Sequence, residues 1–233
     1  MMIFSVVLGR SRSGVSLIGR NRASWTPQSL TSGLQGQSLS RAHLISHGNV
    51  PKEHLPDYIL DKVKDSMADF EQSTFGYQAG LLEYDGRISE RNIDEIRLHA
   101  ILSHELRKQF NVTPVEVSIQ QVRRSFGISS PSSSNARREL NKLFKESGCV
   151  FEDPQTNSGL QMLSESWGVA QHLHRIHRMK EMKTSSPDLI EKLRREIQSN
   201  RKLFAPSIYS EATVINDLVN QEIDKLLVKR FNL

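Results

Sequence analysis

Apolar residues recur at helical spacing along most of this chain. Over residues 57–72, Ile59, Val63, Met67 and Phe70 follow at steps of four, four and three, which predicts a helix opened by Pro56 and Asp57. The stretch from Phe75-Gly76-Tyr77 to Asp85-Gly86 reads as a loop that ends in an Asp-Gly turn. Ser89 then stands as an N-cap before a longer helix to about Phe110, with Ile93, Ile96, Ala100 and Leu106 among its apolar positions. Its acidic start (Glu90, Asp94, Glu95) and basic end (Arg107, Lys108) suit the helix dipole. Pro114 stops it, and Val115-Glu116-Val117-Ser118 alternates as a short strand should. Residues 119–126 suit a helix, Gly127 to Pro131 a turn, and 133–147 a second helix ending at Gly148. Cys149-Val150-Phe151 and Leu160-Gln161-Met162-Leu163 read as two short strands about the turn-prone segment Asp153 to Gly159. Beyond it the spacing is helical throughout, over 164–183, 187–204 and 207–230. Ser186-Pro187 caps the second of these helices. Leu189, Leu193, Ile197 and Phe204 give it an apolar stripe, and Ile215, Leu218, Leu226 and Phe231 help give the third its own. Ala205-Pro206-Ser207 is short enough to fold these two into an antiparallel hairpin.

The order helix, strand, helix, turn, helix, hairpin over 111–163, with Gly127-Ile128-Ser129, Ala136-Arg137-Arg138-Glu139-Leu140, Leu143 and Gly148 in it, resembles a winged helix-turn-helix. The resemblance covers about fifty residues and implies a second helix whose N-terminal residues meet DNA base edges. The expected fold is therefore mainly α. N-terminal helices span 53–110, a small winged-helix-like α+β segment spans 111–163, and a helical region over 164–233 ends in the C-terminal helical hairpin.

Residues 1–45 read differently. The first acidic residue is Glu53, whereas Arg10, Arg12, Arg20, Arg22 and Arg41 lie among many serines. On a helix, Phe4, Val7, Val15 and Ile18 cluster opposite Arg10, Arg12 and Arg20. That is the composition of a removable organellar leader, and 1–45 is expected to be a mitochondrial presequence, with a plastid address as the alternative. Delivery to the mitochondrial matrix follows. No stretch reaches the roughly 18 apolar residues of a membrane span, so no transmembrane segment is expected.

Charge then changes the picture. The chain carries 31 Lys+Arg and 26 Asp+Glu. Loss of the five leader arginines would leave 26 against 26, a neutral product that is no generic polyanion binder. Locally, residues 107–149 hold eight basic and three acidic side chains, a net of +5, against six and eleven over 52–97. Arg123, Arg124, Arg137, Arg138, Lys142 and Lys145 are the candidate contacts to nucleic acid or to an acidic partner.

Chemistry is harder to find. The chain has no phosphate loop, nucleophile elbow, H-E-x-x-H or kinase-like set. Of His172, His174 and His177, only the last two share a helix face, and Glu181 is the one carboxylate a turn away, so no metal site and no cofactor are expected. Cys149, the single cysteine, excludes an intramolecular disulfide and sits near a helix C-terminus, unlike an activated nucleophile. The sequence reading is a non-enzymatic mitochondrial matrix protein. Its expected partner is a multi-subunit mitochondrial assembly, the mitochondrial ribosome or its rRNA, as a ribosomal or ribosome-associated component of gene expression. The alternative is an accessory or assembly subunit of a respiratory-chain or ATP-synthase complex, docked through the helices after residue 164.

Overall fold

The computed structural model describes residues 1–20, 38–68, 70, 76–83, 93–130, 132–199 and 212–231. The turn expected at Asp85-Gly86, the cap at Ser89 and the connection Ala205-Pro206-Ser207 lie outside these residues, whereas Tyr77–Leu82, expected within a loop, is a strand. By its contacts the chain forms two compact units, Met1–Leu173 and His174–Leu233.

The first unit is built on a sheet that the sequence reading did not contain. Its strands are β1 (Met2–Val7), β2 (Arg12–Arg20), β3 (Ser38–Ser46), β4 (Tyr77–Leu82), β5 (Val115–Val117) and β6 (Val150–Phe151). They lie in the order β5-β4-β1-β2-β3-β6. β2 runs antiparallel to both β1 and β3, while β4 on β1, β5 on β4 and β6 on β3 are parallel pairs. The helices are α1 (Leu55–Met67), α2 (Ile93–Phe110), α3 (Ile119–Ser125), α4 (Ser133–Glu146) and α5 (Asn157–Ser185), followed by α6 (Pro187–Ser199) and α7 (Ala212–Phe231).

Helices cover the sheet on both faces. Phe4, Val6, Val15, Leu17, Ala79 and Leu81 meet Ile59, Leu60 and Val63 of α1 and Leu98, Leu102 and Leu106 of α2. On the other face, Ile3, Ile18 and Ala42 meet α5 through Leu163, Val169 and Leu173. Strands buried on both faces read as unbroken apolar runs, without the alternation that marks a half-buried strand. All six residues of β1 are buried.

Two corrections follow. First, the mainly α, winged-helix reading is wrong. β5 and β6 sit at opposite edges of one sheet, so α3 and α4 form a crossover from edge to edge and leave no wing. Leu160 to Leu163 lie inside α5. Leu160, Leu163, Trp167, Ala170 and Leu173 continue one helical stripe; Asn157-Ser158-Gly159, read as a turn, is its first turn. Second, β1, β2 and all but the last residue of β3 fall within 1–45, and cutting there would remove three of the six described strands of the sheet. The leader-like spacing of Phe4, Val7, Val15 and Ile18 reflects a hairpin: Ile3 pairs with Ile18, and Val6 with Val15. With those residues in the fold, their arginines count toward the protein, whose formal charge is +5.

Local chemistry explains the element ends. Ser118 and Gln121 form a capping box that opens α3. Ser132 caps α4, and Gly148 follows that helix with φ +72°. In the second unit Leu193 and Ile197 of α6 share a core with Val219, Ile223 and Leu227 of α7, joined by Met182 from the last turns of α5. Lys183 pairs with Asp224 at 2.5 Å.

Candidate nucleic-acid interface

In an open α/β sheet, ligands bind beyond the carboxyl ends of the parallel strands, where the chain order reverses. Here that point lies between β1 and β4, because the chain leaves β1 toward β2 on one side and returns as β4 on the other. The segments that end there are Leu8 to Ser11 after β1, His47 after β3, Glu83 after β4 and Ser118 after β5. Backbone bonds tie them together: Glu83 N–H donates to the Val117 carbonyl at 2.9 Å, and His47 N–H to that of Ser11 at 2.9 Å. The His47 ring meets Ser13 Oγ at 2.9 Å, and burial lowers its pKa, which favours the neutral ring. The β1–β2 turn presents two arginines. Arg10 pairs with Glu95 of α2 at 3.1 Å, and Arg12 donates to Thr156 Oγ1 at 2.8 Å.

Behind this edge, α5 lies unusually close to the sheet. A row of small residues, Gly80, Ser5, Ser16 and Ala42, runs across four strands. Ser5 Oγ donates to the Ser166 carbonyl at 2.6 Å, and the Ser16 and Ser166 hydroxyls are 2.8 Å apart. Residues Leu163–Ala170 are buried all round the helix, since α3 and α4 close its outer side: Trp167 stacks on Phe126 at 4.9 Å and packs on Phe144 at 5.8 Å.

Hydrolysis of a phosphodiester by paired metal ions needs converging oxygen ligands. Among the described residues no three His, Cys, Asp or Glu side chains form such a group. Val7, which ends central strand β1, is apolar and buried, Glu83 is exposed, and the buried Glu165 carboxylate accepts from Gln161 Nε2 at 2.8 Å. A metal pair therefore does not fit the described donor set.

The six candidate contacts lie on two neighbouring helices. Arg123 and Arg124 stand in the last turn of α3, and Arg137, Arg138, Lys142 and Lys145 on α4. Ala136, Leu140 and Phe144 turn the opposite side of α4 into the core. At about 100° per residue, Arg138, Lys142 and Lys145 share one outward arc and Arg137 lies to its side. All four are exposed, as is Arg124, whereas Arg123 is half-buried and its Nε finds no hydrogen-bond partner. Arg138 touches Asn135, and Lys142 lies 3.9 Å from Glu146. The sequence reading missed Arg10, Arg12 and Lys52 as members of the surface. For Arg10 and Arg12 the signal was the hairpin, since two apolar segments containing Val and Ile, 2–8 and 13–18, flank Gly9-Arg10-Ser11-Arg12.

Elsewhere, His177 pairs with Glu181 at 3.0 Å, and burial lowers the pKa of His174. Burial also pushes the Cys149 thiol up to about 11, against a contact from Ser40 that pulls it down.

No protein-family model matches the chain, and neither does any curated protein sequence. Solved structures do. A Thermus thermophilus RuvC structure matches with a TM-score of 0.52 at 11% identity, covering 77% of this chain and 97% of that one. T. thermophilus RuvC in complex with a Holliday junction substrate matches with a TM-score of 0.51 at 12% identity, over 77% and 96%. At such identity the likeness shows the fold, which is RuvC-like α/β. It overturns the reading of a non-enzymatic ribosomal or respiratory accessory protein. That reading rested on absent motifs, and absent motifs exclude no enzyme on a fold they never described. A mitochondrial, ribosomal or ribonucleoprotein character has no support from these neighbours.

Proposed function

We propose that this chain acts in DNA processing by recognising branched duplex DNA. The observation that carries the reading is the fold match, which spans nearly the whole of a T. thermophilus RuvC chain, a protein also described in complex with a Holliday junction substrate. Fold alone does not fix function, so the chain's own charge matters. Restoring residues 1–45 to the fold raises the formal charge from zero to +5. It also brings Arg10 and Arg12 to the carboxyl edge of the sheet.

Cations that meet phosphates fix register and orientation without reading sequence. Two sets are suited to such contacts. Arg10, Arg12 and Lys52 stand beside the β1–β2 turn, and Arg124, Arg137, Arg138, Lys142 and Lys145 stand on α3 and α4. Because they belong to separate elements, they can serve separate arms of a junction, whereas a linear duplex offers one arm. Among the described residues neither surface presents an array of stacking aromatics, as a single-strand binder would.

The test is a binding titration of the full chain against an immobile four-way junction and against linear duplexes of the same arm sequences, at one stated salt concentration. The junction should bind at least about tenfold more tightly, a difference of roughly 1.4 kcal/mol. Equal affinities would remove the basis for a junction-directed role.

A further inference from the structure

Between the β1–β2 turn, the short 3-10 turn Lys52–His54 and α2 lies a cavity of about 320 Å³. Leu55, Pro56 and Leu98 line it as buried apolar groups, and Ile101, 49% exposed, forms an apolar wall open to solvent. Its rim is charged. Arg10 meets Glu95 at 3.1 Å and Lys52 meets Asp94 at 2.5 Å, so these two cations face two acids at the start of α2, with Arg97 of that helix 4.0 Å from Asp94 and Glu53 also in the lining. An apolar hollow with a few convergent polar groups is the usual form of a small-ligand site, and this volume stands at the small end of the range.

The rim is suited to exchange. Both cations are about three-quarters exposed, and ion pairs in such positions are weak and screened by salt. A phosphate can take both cations through charge-assisted hydrogen bonds. Glu95 and the Oδ2 of Asp94, once released, become acceptors for the amino or hydroxyl groups of a ligand that brings them, while Arg97 stays 4.0 Å from the other Asp94 oxygen. A nucleotide has all three parts: an apolar-faced ring, donor groups and a phosphate.

We propose that this cavity takes one unpaired nucleotide, its base against Leu55, Pro56, Leu98 and Ile101 and its phosphate on Arg10 and Lys52 in place of Glu95 and Asp94. For a nucleotide within DNA the proposal rests on the branched-DNA reading. Extruding a base costs least where its pairing is already broken, as at a branch point, and the cavity adjoins the turn that follows β1, at the edge proposed to meet the junction. A free nucleotide has the same chemistry and needs no junction.

The experiment uses 2-aminopurine, whose fluorescence rises when the base leaves a stack. The probe is placed at the branch point of a four-way junction, or within a paired arm as control, and the junction is saturated with the full chain. A several-fold rise for the branch-point probe alone, absent at saturation with Ile101→Glu, is the expected result. A saturated junction with no rise, or a rise unchanged by Ile101→Glu, overturns the proposal. If the chain binds no junction, the branched-DNA reading fails separately, and free 2-aminopurine deoxyribonucleoside monophosphate decides the cavity. Binding lost in Ile101→Glu upholds it as a nucleotide site, and no binding ends it.

Discussion

Gly14 on β2 is where the backbone of α5 comes down on the sheet. A Cβ at Gly14 would lie 2.3 Å from the Met162 carbonyl oxygen, main chain that cannot rotate away. A Cβ at Gly80 would lie 2.7 Å from Leu173 and Val169, but there it meets methyl ends of side chains that can turn aside. Overpacking of this kind costs about 1–3 kcal/mol and sometimes more. Gly14→Ala should therefore destabilise the protein clearly more than Gly80→Ala, measured by urea denaturation. Equal or inverted costs would mean that α5 does not ride this close to β2. The neighbouring serines belong to the same device. Ser5, Ser16 and Ser166 are fully buried, yet each hydroxyl has a partner, so the small residues that permit close approach leave no unsatisfied group among the three.

At the scale of elements, the first three strands decide whether the first unit exists. Removing residues 1–46 takes away β1, β2 and β3, including Phe4, Val6, Val15 and Leu17, all at or near zero exposure. The shortened chain keeps Trp167 as its sole tryptophan, which in the intact fold is 4% exposed between Phe126 and Phe144. It should show solvent-like tryptophan emission and no cooperative unfolding transition. A native-like blue-shifted emission would restore the case for a dispensable leader. Elements held by local periodicity were legible in the sequence: helices expected over 57–72 and 133–147 correspond to α1 and α4, and the strand at Val115-Glu116-Val117 is β5. Illegible were the partners. β5 pairs with β4, thirty-five residues earlier, and β6 with β3, more than a hundred earlier, and nothing in the spacing of Val150-Phe151 points there. The candidate site divides in the same way. The cations of α3 and α4 follow from local charge, whereas Arg10 and Lys52 join the surface through tertiary contacts with α2 alone.

For the whole molecule, the +5 charge belongs to the folded protein, and DNA affinity should fall steeply with salt as phosphate contacts displace counterions. The outward arc of α4 makes this quantitative. Replacing Arg138, Lys142 and Lys145 together with alanine should lower the slope of log K against log salt by up to about three, near one for each phosphate contact. Affinity should weaken alike for every sequence tested. An unchanged slope would place the DNA elsewhere on the chain. These side chains are exposed and their opposite face holds the core contacts, so the substitution should leave stability within about 0.5 kcal/mol of the parent.

The strand order has a further consequence during synthesis. The β1–β2–β3 meander emerges first, but β3 keeps an open edge until β6 arrives 104 residues after Ser46. At roughly 5–20 residues per second, that edge stands uncovered for roughly 5–20 s in each new chain, long after its own hairpins can close. In the finished sheet β6 pairs with Arg41 and Ala42 in the middle of β3, an interruption that keeps a stranger from pairing along the whole strand. The nascent one ends in a strand of nine. The hazard of misassembly in this protein is therefore a matter of timing, greatest while the chain is half made.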